Sequence, residues 1–304
     1  MSQSTRLIKR RIRSSQNISQ ITKAMEMVSA AKMKRAQALA VNSRPFSQKM
    51  YQVITSLSQK AKTQSEHFLL NDPRIGWDNK NEFSVLVVLF STDKSLCGGL
   101  NTNLFRGLEK WLKDLTVNYS LPAKTKITFV TIGRKAKEHV LRTGRQLLAE
   151  FATLGDRPHF ADVLPLSRLI IDGFKLADYH MAFLSYMEFI STISQKLAVK
   201  QLLPIATTAL PKGELSTFEA EYVFEPEAAT IFDSLLPQYV ELQLYHTLLE
   251  SLASEHSARM VAMKSAHDNA LDVVSQLTLE FNQARQSRIT NELLDVVTSR
   301  LAIE

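Results

Sequence analysis

All nine glycines of this 304-residue chain lie between Gly76 and Gly213. Glycine punctuates turns because it enters left-handed backbone conformations without strain. Its absence from both ends, with no proline before Pro45 or after Pro237, predicts two long uninterrupted helices flanking a compact, turn-rich middle. At 1.5 Å per residue the N-terminal stretch, 1–44, would be roughly 60 Å long and the C-terminal one, 238–304, roughly 100 Å. A helix of that length stands only if a partner covers its apolar stripe.

Both ends carry a stripe. In the C-terminal segment Leu242, Tyr245, Leu249 and Leu252 step by three and four. The pattern passes through His256 and Arg259 and resumes at Met263, Ala266, Ala270, Val273, Leu277, Phe281 and Ala284. At the N-terminus Ile18, Ile21, Met25 and Val28 keep the same steps, beside an alanine line at Ala24, Ala31 and Ala38 that would let a neighbouring backbone approach. Burying about ten large seam residues contributes on the order of 15–30 kcal/mol gross, against the ordering entropy of both helices. His256 and Arg259 mark either a functional break or a register-fixing polar pair of the kind coiled coils use.

A compact domain brings its termini together. The expected architecture is therefore α/β: a long antiparallel coiled coil of the N- and C-terminal helices plus a central Rossmann-like α/β domain. The expected bounds are 1–72, 73–213 and 214–304, with the C-terminal arm overshooting its partner. Within the middle, Phe83–Phe90, Lys126–Ile132 and Met181–Met187 are rich in apolar and β-branched residues and read as buried strands. Asn101–Asn118, Arg134–Arg142 and Pro165–Ala177 read as helices, and the alternation implies a small parallel sheet over about 80–210.

Chemistry-bearing motifs are sparse. Cys97-Gly98-Gly99-Leu100-Asn101 sits where nucleotide-binding folds place a phosphate loop, but the G-x-G-x-x-G spacing and any Gly-Lys pair are missing. It reads as a structural strand-to-helix turn. The seven histidines show no metal-ligand spacing, and the single cysteine, Cys97, allows no internal disulfide. No catalytic residue, metal or cofactor is expected. The longest apolar stretch, Phe83 to Phe90, has strand length and falls well short of the roughly 18 residues that span a bilayer. The Arg- and Ser-rich N-terminus has the composition of an organelle transit peptide, yet the same residues continue the helical pattern.

Charge is concentrated at one end. Up to residue 44 the cations are Arg6, Lys9, Arg10, Arg11, Arg13, Lys23, Lys32, Lys34, Arg35 and Arg44 against Glu26 alone, in a chain of net charge +7. Such a run is a solvated helix face or the complement of an acidic partner. The first aromatic residue is Phe46, so the rings that stack bases are missing from it.

Longer stretches carry a resemblance. Ile12-Arg-Ser-Ser-Gln-Asn17 followed by Gln20-Ile-Thr-Lys-Ala-Met-Glu-Met-Val-Ser-Ala-Ala-Lys-Met33 resembles the N-terminal signature of F-type ATP synthase gamma subunits. Leu252-Ala-Ser-Glu-His-Ser-Ala-Arg-Met-Val-Ala-Met-Lys264, Asp268-Asn-Ala270 and Asn282-Gln-Ala-Arg-Gln-Ser-Arg-Ile-Thr290 are similar to the C-terminal one, and Ser91 to Asn101 to a central motif. The resemblance implies a non-catalytic central shaft inside a hexamer of alpha and beta subunits, with the epsilon subunit and the membrane c-ring as further partners. It implies catalysis in beta, no nucleic acid, and peripheral attachment, through the c-ring alone, to the cytoplasmic face of a bacterial membrane. By motif, Met25, Lys23, Arg285, Gln286 and Thr290 would contact beta. Tyr222 and Glu225 would face the c-ring, and Leu293, Leu294, Val296, Val297 and Leu301 would turn in an apical bearing. The paired-cysteine insertion of chloroplast relatives is absent, and the tail Thr298 to Glu304 lacks their small, Gly-containing ending. Two other readings predict different behaviour. A basic nucleic-acid-binding coiled coil would release its ligand steeply with salt, and a nucleotide-binding α/β enzyme would hold ligand beside Gly98 and Gly99.

Overall fold

A computed structural model of the chain describes residues 3–60, 67–71, 82–119, 121–122, 124–151, 155, 158–205 and 228–301. Two helices dominate: α1, Gln3–Lys60, and α5, Ala228–Leu301. Between them lie β1 (Phe83–Phe90), α2 (Leu100–Asn118), β2 (Thr125–Ile132), α3 (Arg134–Arg142), β3 (Gln146–Phe151), α4 (Leu164–Lys175), β4 (Met181–Phe189) and β5 (Gln195–Leu203). Both expected helix limits need correction, since α1 runs through Pro45 and α5 through Pro237. Proline removes one backbone donor and frees one carbonyl. Pro45 is exposed, where water can satisfy that carbonyl. The expected domain limits at 72/73 and 213/214 fall outside the described residues.

The chain divides into two compact units: Met1–Ala30 with Arg259–Glu304, and Ala31–Ala258. The larger holds a five-stranded sheet in the order β3-β2-β1-β4-β5. The expected parallel sheet is a mixed one. β1 pairs in parallel with β2 and β4, and β2 with β3, whereas β5 returns antiparallel to β4. The strands β3 and β5 carry no run of the kind that betrays a buried strand. Gln146–Phe151 alternates exposed and half-buried residues, as an edge does, and β5 carries the exposed lysines Lys196 and Lys200 on the opposite edge.

Each face of the sheet has its own core. Leu100, Leu104, Leu108 and Leu115 of α2, with Ala136 and Val140 of α3, cover Val85, Val87, Leu89 and Phe129. On the other face Met50 and Ile54 of α1, Leu166 and Ile170 of α4, and Phe232, Leu236, Val240 and Leu244 of α5 cover Leu86, Val88, Phe90 and Val130. Alternate residues of β1 thus feed opposite layers, and all eight are buried.

The smaller unit corrects the N-terminal seam. Ala31 and Ala38, which fall in the larger unit, are exposed; in the smaller one Ile18, Ile21 and Val28 are 50, 58 and 53% exposed, and Ala24 is exposed as well. The α1 residues buried there are instead Thr5, Ser19, Thr22 and Ser29. Hydrophobic periodicity finds an apolar stripe but does not say what covers it. Short hydroxyl side chains tolerate burial in a helix because they can bond back onto their own turn, as Thr22 Oγ1 does to the carbonyls of Ile18 and Ser19 at 2.8 and 3.0 Å. On α5 the expected seam holds at Met263 and Ala270, but Val273 is 43% exposed and Val274 takes its place. Val274, Leu277, Phe281 and Ala284 are half-buried and continue Met263, His267 and Ala270 in an unbroken heptad spacing, on which Val274 falls and Val273 does not.

Candidate functional site

The first candidate is the loop between β1 and α2, where an open α/β sheet binds its ligands. Leu96 and Gly98 both take left-handed backbone, at φ 69° and 57°. Asn101 Nδ2 donates to Thr92 Oγ1 at 2.8 Å and to Cys97 Sγ at 3.5 Å, and Thr92 Oγ1 donates to the Lys94 carbonyl at 2.8 Å. Cys97 and Thr92 are buried by this closure. The same loop fills the first donors of α3. Arg134 N donates to Asp93 Oδ1 at 3.0 Å, Lys135 N to the Thr92 carbonyl at 3.1 Å, and Ala136 N to Ser91 Oγ at 2.7 Å. Helix N-terminal amides attract phosphate only while they lack partners, and these three have them.

Gly133 explains why the approach is so close. Its φ is +91°, and a Cβ there would stand 2.3 Å from the Ser91 carbonyl oxygen. The cleft beside it, lined by Ser91, Asp93, Gly133 and Glu255 among others, has about 30 Å³, room for one water-sized group. The Cys97–Asn101 motif is a strand-to-helix turn held by hydrogen bonds among Thr92, Lys94, Cys97 and Asn101, and the helix it opens, α2, starts from Gly99 without a side-chain cap. Among the described residues no cluster of three or more His, Cys, Asp or Glu could hold a metal.

A second cluster lies on α2 and α3. Arg145 grips Glu109 through both carboxylate oxygens at 2.7 and 2.6 Å, and His139 Nε2 stands 3.1 Å from the same carboxylate under the stacked ring of Phe105. Burial lifts the Glu109 carboxyl, but the Arg145 guanidinium more than offsets it and holds the group below its ordinary range. Burial keeps the His139 imidazole below its usual value despite Glu109. Such a fork-to-fork pair ties α2 to the start of β3, and its chemistry is structural.

The third candidate is the outer surface of the smaller unit, and it is the one with reach. Its apolar residues point outward: Ile18, Ile21, Met27 and Val28 on α1, and Leu271, Leu279 and Ile289 on α5. Arg6, Lys9, Arg10, Arg11 and Arg13 are exposed on α1 as well. Lys23 is exposed and bonds Glu26 at 3.0 Å, while Met25 is half-buried. Farther along α5 every residue from 289 to 299 is exposed, with Leu293, Leu294, Val296 and Val297 each more than half so. Arg285 and Gln286 are exposed, and Thr290 Oγ1 donates to the Gln286 carbonyl at 3.1 Å. Tyr222 and Glu225 lie outside the described residues, as does the Leu301 side chain. Sequence reasoning singled out Ile18, Ile21 and Val28 as seam and so missed them as surface. Their flanking lysines and arginines were the available signal. No helix among the described residues is long and apolar enough to cross a membrane.

Comparison with known proteins completes the site. The sequence model of a family described as ATP synthase matches residues 4–303. An ATP synthase gamma chain of Dehalococcoides mccartyi is 43% identical over 298 residues, covering 98% of both chains. One from Chloroflexus aurantiacus is 38% identical over 300 residues, covering 99% of both. Among solved structures, a chain in the cryo-EM structure of the Euglena gracilis mitochondrial ATP synthase OSCP/F1/c-ring, rotational state 3, superposes with a TM-score of 0.65 at 19% identity, covering 99% of this chain and 94% of that one. A chain of the Tetrahymena thermophila mitochondrial central stalk and c-ring gives 0.53 at 25% identity, covering 81% and 99%.

Proposed function

The chain belongs to the ATP synthase gamma chain family, the central rotor stalk of that complex, and from that premise we propose that its coil, with an apolar outer face on α1, turns inside a sleeve of alpha and beta subunits. The observation that carries this reading is the inversion of the smaller unit. On α1 within that unit serine and threonine are the buried residues, while Met263 and Ala270 are buried on α5, and Ile18, Ile21 and Val28 face outward at half exposure or more. A monomeric protein gains nothing from that arrangement, because apolar area stabilises only where water is removed from it. A shaft needs it, because its outer face is its working face.

In this reading Met25 and Lys23, with the basic residues around them, meet acidic loops of beta, and Arg285, Gln286 and Thr290 make polar contacts with another beta loop. Leu293, Leu294, Val296, Val297 and Leu301 form the apical bearing. Tyr222 and Glu225 face the c-ring, with the epsilon subunit against the α/β domain. Ion flow turns the ring and the shaft with it, on the cytoplasmic face of a bacterial membrane. Catalysis belongs to beta. The shaft acts by differential contact: each orientation favours one beta conformation over the others, and only that difference moves the equilibrium.

Co-expression with alpha and beta subunits and affinity capture of this chain tests the proposal. Alpha and beta should travel with it in a complex whose ATP hydrolysis depends on its presence. Capture without them, or with nucleic acid released steeply by salt, would overturn it.

A further inference from the structure

We propose that Ser19 and His267 set the register in which α1 and α5 pair in the smaller unit. His267 Nδ1 lies 2.9 Å from Ser19 Oγ and 2.9 Å from the Ser19 carbonyl oxygen, across 248 residues of chain. Ser19 is buried and His267 half-buried. When Nδ1 carries a proton it donates to the carbonyl and shares the bond with the hydroxyl; in the other tautomer the hydroxyl donates to Nδ1. Either way the pair stays joined, because a hydroxyl is both donor and acceptor.

The rest of the seam discriminates poorly. Ser15, Thr22 and Ser29 repeat at intervals of seven on α1, so sliding by one heptad replaces two of the three with another small hydroxyl residue and the end one with Ile8 or Ala36. On α5 Met263, Ala270, Leu277 and Ala284 also repeat by seven and alternate large with small, but the α1 row from Ser15 to Ser29 is uniformly small and gives that alternation nothing to lock against. Large interlocking side chains fix a coiled coil, and small ones let it slip; a single polar pair restores the specification at some expense of stability. The row containing Ser19 is different. A heptad slip carries His267 from Ser19 to Ile12, which offers no hydroxyl, or to Glu26, which already holds Lys23. The pair is internal to the chain, so the register it sets does not depend on what surrounds the coil. It positions the outward residues of α1 along those of α5.

Spin labels at the exposed Gln16 and Asp272 of the full chain, with Cys97→Ser to remove the native thiol, read the register as a distance. The parent should give a single population. Ser19→Ala combined with His267→Leu should add a second population displaced by one heptad, about 10 Å along the axis, and Ser19→Thr, which keeps a hydroxyl, should not. A role confined to stability would lower the melting temperature and leave the distance unchanged. That result in the double variant would overturn the proposal. Should the double variant lose helix content by circular dichroism, Ser19→Ala alone carries the same reading, and one unshifted population there overturns it equally.

Discussion

Replacing Ile18, Ile21 and Val28 together by glutamine separates a shaft surface from a core. These side chains are 50, 58 and 53% exposed, so about half of each remains to be covered by a partner. Full burial of such a residue stabilises by roughly 1.5–3 kcal/mol, and the uncovered halves of three sum to about 2–4 kcal/mol. At 1.4 kcal/mol per tenfold, that is a loss of roughly 30- to 1,000-fold in affinity for a sleeve of alpha and beta subunits. The chain by itself should hardly respond. Surface substitutions stay within about 0.5 kcal/mol, and glutamine is a better helix former than either β-branched residue. Thermal unfolding followed by circular dichroism measures the stability of the chain by itself, and titration against an alpha–beta hexamer prepared without this subunit measures the affinity. A melting temperature that falls as a core deletion would require, by about 2 kcal/mol or more per site, with assembly unaffected, would refute the inversion of the seam.

Three other outcomes follow from the geometry. Glu109→Gln should flatten the acid limb of the stability curve: a carboxyl held low by Arg145 stabilises above its unfolded value near 4.3, and that contribution disappears as pH falls through the lower folded value. Urea unfolding across pH 3–6 measures it, and an acid limb identical to the parent's would contradict the pairing. Gly133→Ala should destabilise by at least about 2 kcal/mol, because the position is left-handed and a Cβ would strike the Ser91 carbonyl at 2.3 Å; a neutral melting temperature would show that the loop yields. Arg285→Ala with Thr290→Ala should reduce ATP-driven proton pumping relative to hydrolysis in the assembled complex while leaving the chain's helix content intact, and unchanged hydrolysis and pumping would remove those residues from the contact.

How much of this was legible from residues alone depends on what buries them. The strands β1, β2 and β4 are covered on both faces, so their apolar and β-branched runs announce them with limits correct to about one or two residues. Gln146–Phe151 and Gln195–Leu203 are edges, and edge residues answer to water on one side. Their Leu-Leu-Ala-Glu and Lys-Leu-Ala-Val-Lys patterns resemble helix as much as strand. Pro45 and Pro237 read as stops because a proline weakens a helix locally, yet each lies inside a helix whose neighbouring turns are packed on the sheet. The α1 stripe is the instructive failure. Ile18, Ile21 and Val28 have the spacing of a seam, but spacing is blind to whether the covering atoms belong to the same chain. The hydroxyl seam left no apolar signal at all. The contacts proposed for α5 rest on family resemblance, since nothing in the periodicity separates Arg285 or Thr290 from any other exposed helix position.

The outer strand of the sheet bears on whether copies of the chain join. Among the described residues no strand pairs with the outer border of β5. Lys196 and Lys200 are exposed on that strand, Lys200 with its ammonium 3.8 Å from Glu188, and charged side chains of this kind discourage a second strand from adding to an edge. Two copies of the chain are therefore held back from joining their sheets along this strand.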